Sequence, residues 1–148
     1  MSFMDKLKSA VNTLTGGGAK VSVIPENPTR EGAFKVKVKA VIGEQDLSVN
    51  RVYIQLNGFE QVVVHNVAHE KYTSDERETA NTYDHEIVVA EAQTLKAKQE
   101  YEWSCTVEFP RDVLPTYHGR NATHELRILA GLDTKGNDPD SGWMVLGI

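Results

Sequence analysis

Ala33-Phe34-Lys35-Val36-Lys37-Val38-Lys39-Ala40-Val41 alternates apolar and cationic side chains with hardly a break. Successive side chains of an extended backbone point to opposite sides, so a period of two marks a strand whose two faces meet different surroundings. Phe34, Val36 and Val38 are thereby assigned to a core, and Lys35, Lys37 and Lys39 to the opposite face. The same pattern continues outward along the chain. Val52-Tyr53-Ile54-Gln55-Leu56 and Glu60-Gln61-Val62-Val63-Val64 read as strands separated by Asn57-Gly58, a pair that suits a tight turn or a bulge within one long bent strand; the bulge is preferred. Ile87-Val88-Val89 is a further strand. Residues 101–109 set Tyr101, Trp103, Cys105, Val107 and Phe109 on one face, and Pro110 ends that run. Residues 124–132 and 143–148 supply the last strands on either side of the turn-rich 133–142. About eight short strands with turns between them predict an all-β, immunoglobulin-like two-sheet sandwich.

Two segments depart from this period. In residues 2–14, Phe3, Leu7, Ala10, Val11 and Leu14 recur at helical spacing, which predicts a short amphipathic helix ending at Gly16-Gly17-Gly18. The chain then divides into a helix and glycine hinge over 1–18 and a sandwich over 19–148. Residues 68–84 are polar and carry no sustained periodicity; they read as a long loop or an extended hairpin tip, the kind of segment that often carries function.

The chain has 148 residues, 40% hydrophobic and 25% charged, with a net charge of −5: one globular domain's worth of core, and no broad basic surface for nucleic acid. One cysteine, Cys105, excludes an intrachain disulfide and thiolate-rich metal sites. It falls on the inward side of its strand and reads as a small core hydrophobe. No apolar stretch of signal-peptide or membrane-spanning length is present, so a cytoplasmic location is expected and the sequon Asn121-Ala122-Thr123 is read as unused.

Few residues fall in patterns that catalytic chemistry uses. Gly16-Gly17-Gly18-Ala19-Lys20 follows a helix and precedes a strand, the reverse of the order a phosphate-binding loop needs. His65 and His69 are four apart, as zinc ligands on a helix would be, but His65 ends a strand pattern; with Glu70 nearby a zinc site, and with it a metal-dependent hydrolase, is kept as the least favoured reading. His118 and His124 flank a loop and are assigned to backbone hydrogen bonds. Asp133, Asn137, Asp138 and Asp140 do not have calcium-loop spacing and are read as turn formers. No catalytic residue, cofactor or metal is assigned. Lys35, Lys37 and Lys39 could receive an anionic partner, although a solvated sheet face or a protected edge explains them as well. The N-terminal helix would give at most weak membrane contact.

Several segments together resemble the bacterial sporulation-control branch of the arrestin-like superfamily: the opening Met-Ser-Phe-x-x-Lys-Leu, Ala19-Lys20-Val21, Val52-Tyr53-Ile54-Gln55-Leu56, Tyr101-Glu102-Trp103 running to Phe109-Pro110, Pro115-Thr116-Tyr117-His118-Gly119, and Leu132-Asp133 through to Asp138-Pro139-Asp140-Ser141-Gly142-Trp143. The resemblance implies an arrestin-like sandwich equivalent to one N-terminal lobe, in a family of cytosolic adaptors and regulators without catalytic residues. It also implies that residues 68–84 correspond to the region with which arrestins engage partners. Lys71, Tyr72, Asp75, Glu76 and Arg77, with the lysine stripe, are therefore the candidate contacts for a protein partner. The second lobe of arrestins is missing from this sequence, which makes self-association the alternative.

Overall fold

The computed structural model describes residues 18–148; the predicted N-terminal helix lies outside them. Among the described residues ten strands follow one another: β1 (Ala19–Glu26), β2 (Ala33–Ile42), β3 (Leu47–Val49), β4 (Arg51–Ala68), β5 (Thr73–Ala90), β6 (Gln93–Leu95), β7 (Glu100–Glu108), β8 (Tyr117–His118), β9 (Ala122–Asp133) and β10 (Met144–Val145). One sheet runs β1-β2-β7 and the other β10-β9-β4-β5, with β8 also on β9; β3 and β6 form a small ribbon. All named pairings are antiparallel.

The alternation in β2 does what the sequence predicts. Phe34, Val36, Val38 and Ala40 are buried, and they join Val21 and Val23 of β1, Val107 of β7, Ile54 and Leu56 of β4, and Leu126, Ile128 and Leu132 of β9 in one core between the sheets. Each of these side chains larger than alanine, once removed from water, contributes about 1.5–3 kcal/mol. Among the described residues no buried side-chain nitrogen or oxygen lacks a hydrogen-bond partner.

Asn57-Gly58 is not a turn. β4 passes straight through it, and its register with β9 is unbroken from Arg51↔Asp133 to Val62↔Ala122. The extra residue lies in β5: Gly58 pairs with Tyr83 and Phe59 with Asn81, which leaves Thr82 as the bulge. Glycine is required opposite it, since a Cβ on Gly58 would sit 2.5 Å from Thr82 Oγ1 and 3.2 Å from His124 Nε2.

Residues 68–84 are not a long loop. Their hairpin reading is the one found, and most of the stretch is strand: β5 begins at Thr73. The backbone reverses over Glu70-Lys71, closed by the His69 N–H donating to Tyr72 O at 2.8 Å. The closing strand of residues 143–148 is also shorter than predicted, with only Met144–Val145 paired on β9.

Candidate partner-binding surface

The long hairpin of β4 and β5 dominates one side of the molecule. Support from β9 ends at Val62↔Ala122, with one further bond from Val63 N–H to Asn121 O at 2.7 Å. Beyond that point the two strands pair only with each other through Val67↔Ser74 and Ala68↔Thr73. At about 3.4 Å per residue, the arm stands roughly 17 Å clear of the sheet. A two-stranded ribbon alone in water is marginal, so its side chains must hold it.

They do so with a ladder of imidazole and carboxylate groups. His65 Nδ1 lies 3.2 Å from Asp75 Oδ2, and Asp75 Oδ1 accepts the N–H of Asn66 at 3.1 Å. Asn66 has φ 55°, a left-handed conformation that asparagine tolerates better than most residues. These two contacts, the backbone one foremost, hold the Asp75 carboxyl below its ordinary pKa. Nearer the tip, Ser74 Oγ donates to Glu76 Oε1 at 2.9 Å, His69 Nε2 lies 2.8 Å from Ser74 Oγ, and the His69 and Tyr72 rings stack at 4.5 Å. His65 and His69 thus have carboxylate partners on β5, while Glu70 occupies the turn. Among the described residues no three His, Cys, Asp or Glu side chains gather into a metal-binding group.

Of the predicted contact residues, Lys71 and Tyr72 are at the arm's tip, and Asp75, Glu76 and Arg77 are on its returning strand; all five are exposed. Lys35, Lys37 and Lys39 are not brought to them. They lie on the outer face of the other sheet, where Lys37 Nζ is 3.2 Å from Glu26 and Lys39 Nζ is 3.8 Å from Glu102.

At the root of the arm His124 is 4% exposed. Its Nδ1 lies 2.9 Å from the carbonyl of Pro115, and a carbonyl only accepts, so Nδ1 donates; Nε2 then takes the proton of Thr82 Oγ1 at 2.6 Å. The backbone bond predicted for His124 is present. The 133–142 oxygens also make turns: Asp138 accepts the Thr134 N–H at 3.0 Å and the Tyr53 hydroxyl at 2.9 Å, and Asp140 accepts the Gly142 N–H at 2.8 Å. Burial raises the Tyr53 phenol's pKa, and the Asp138 carboxylate raises it further.

Sequence reasoning missed one cluster on the outer face of the larger sheet. Asn57, 1% exposed, donates to Asn81 Oδ1, Asp84 Oδ1 and Tyr83 O, and accepts from Arg127 Nε at 2.6 Å. The Arg127 guanidinium is itself held between the rings of Phe59 at 4.1 Å and Trp143 at 4.6 Å. Three strands and the residue just before β10 meet there, from positions too far apart in sequence to suggest one another.

No protein-family model matches the chain, and no curated protein matches it in sequence. A solved structure does: Spo0M, the sporulation control protein of Bacillus subtilis, superimposes with a TM-score of 0.63 at 20% identity over 88% of this chain. The match takes in 49% of that protein, so the chain spans about half the length of its structural neighbour. At this identity the likeness is one of fold: the sandwich described above is the fold found in that sporulation control protein.

Proposed function

We propose that this chain is a non-catalytic, protein-binding adaptor or regulatory scaffold of the cytoplasm, and that it meets its partner through the β4–β5 hairpin. The observation that carries this reading is β5 itself, 18 residues long at the margin of its sheet and largely exposed. A long exposed margin is a liability that folded proteins cover, shorten or use. The fold likeness to a sporulation control protein agrees with a regulatory role, and arms on rigid scaffolds are common sites of recognition.

A variant in which residues 65–75 are replaced by Asn-Gly keeps the Val64↔Glu76 pair and closes it with a favoured two-residue turn. With oligomeric state and thermal stability unchanged, it should fail to retain a host partner that the full chain retains; retention by both would refute the arm as the contact. A second reading, a self-associating structural module, draws on the other margin, where Trp143, Met144 and Val145 are 40%, 41% and 49% exposed. Light scattering separates the two, since that reading requires a mass that rises with concentration.

A further inference from the structure

We infer that the flank of β5 between Tyr83 and Val88 is a docking edge for an extended segment of alternating apolar and cationic residues, which adds to the sheet as a new strand. The inference rests on the binding-module reading and names the chemistry of one partner segment.

The location follows from the ladder. β5 pairs regularly with β4 over Tyr83–Val88, between the bulge at Thr82 and the irregularity between Val52 and Tyr53. No described strand pairs with its other flank. Bulges interrupt strand addition, so this six-residue run is the stretch nearest the core that can accept a continuous strand.

The chemistry follows from the two faces beside that flank. Toward the core, Tyr83, Ile87 and Val89 are only half-buried, with the exposed His85 between Tyr83 and Ile87, and Tyr101, Trp103 and Cys105 are half-buried on β7, the margin of the facing sheet. The sandwich therefore opens here onto an apolar seam, and burial along it raises the Cys105 thiol's pKa. An added strand would turn every second side chain into this seam and cover it. Toward solvent the surroundings are acidic. Asp84 is held by neutral Asn57 with Arg127 of β9 behind it, and Glu86 pairs with Arg51 of β4: the two carboxylates lie on β5 itself, nearest the free flank, and both cations lie on strands further in. Side chains directly opposite one another on neighbouring strands are about 5 Å apart, so the alternate residues of the added strand would meet this charge, and lysine or arginine suits it. A second copy of β5 would bring its own Asp84 and Glu86 to the same place and be repelled.

The probe is a capped, fluorescent Lys-Val-Lys-Val-Lys-Val peptide, compared with a Glu-Val repeat of equal length and with the lysine peptide N-methylated at alternate amides. Methylation leaves charge and apolar area in place and removes the hydrogen bonds that strand addition needs. The expected result is saturable binding of the first peptide, at least tenfold weaker for the other two, weakened by salt, with slower amide exchange inside Tyr83–Val88. Absent binding, equal binding of the methylated peptide, protection confined to another strand, or a doubled mass on addition would each overturn the inference. The arm-shortened variant keeps Tyr83–Val88 and should bind the peptide as the full chain does. Failure of the peptide thus leaves the partner test on the arm unaffected, and the reverse.

Discussion

Gly58→Ala places one methyl group where β4, β5 and β9 come closest, and its cost can be worked from the contacts. The new Cβ would lie 2.5 Å from Thr82 Oγ1, 3.2 Å from His124 Nε2 and 3.3 Å from Tyr83 Cβ. The first distance is well inside van der Waals contact, and Thr82 cannot simply swing away because its hydroxyl satisfies the buried His124 ring. Overpacking of this kind costs about 1–3 kcal/mol, and leaving Nε2 without its partner costs about 1–3 kcal/mol more. Alanine restricts the unfolded chain and returns roughly 0.4–1 kcal/mol; Gly58 does not need a left-handed backbone, so no conformational strain is added. The net loss is about 1–5.5 kcal/mol, or roughly 3–16 °C in Tm for a chain of this size. Denaturant unfolding followed by tryptophan fluorescence measures it. Thr82→Ala removes the atom that clashes, so in that background Gly58→Ala should cost under about 1 kcal/mol, a coupling large enough to resolve. A neutral Gly58→Ala, or an equal cost in both backgrounds, would refute the account of the bulge.

Asn57→Ala should destabilise by about 2–4 kcal/mol, because it strands Arg127 Nε and the side chains of Asn81 and Asp84 without enlarging the surface; the same unfolding assay reads it, and a loss under about 0.5 kcal/mol would show that water replaces the bonds. Asp75 has a lowered pKa in the folded protein, so its grip on Asn66 is fully present above the ordinary carboxylate value of about 4 and is lost as pH falls through the lower folded value. The Asn66 amide resonance should follow that loss, and Asp75→Asn should abolish the titration while sparing the core amides. Burial pushes the Cys105 thiol up, so at pH 8 its reaction with a disulfide reagent should be at least tenfold slower in the folded protein than in denaturant; equal rates would place Cys105 outside the seam.

Strands with two distinct environments were legible from sequence. From Ala33 to Ala40 β2 has core on one side and solvent on the other, so its period of two is unbroken there, and residues 101–109 and 124–132 are nearly as plain. β5 was half-legible for the same reason. Its Ile87-Val88-Val89 end lies against the core, whereas its Thr73–Asn81 stretch has water on both faces and therefore no alternation to read. The tip was hidden because Glu70-Lys71 carries none of the usual hairpin residues, while Asn57-Gly58, which does, is committed to a bulge crossing. The lysine stripe was placed on the correct face, but its partners Glu26 and Glu102 come from neighbouring strands that only the fold aligns. The Asn57–Arg127 cluster depends on three strands and Trp143 at once, and single-strand patterns hold no trace of such a meeting.

β4 is both the inner limb of the arm and a central strand of the sheet, paired with β9 at twelve successive positions from Arg51 to Val62. A pull on the tip along the strand axis would therefore load those rungs together, in shear, instead of peeling them one after another. The arm is a stiff handle set into the body of the sandwich: a partner that tugs it strains the whole sheet before any single bond gives way.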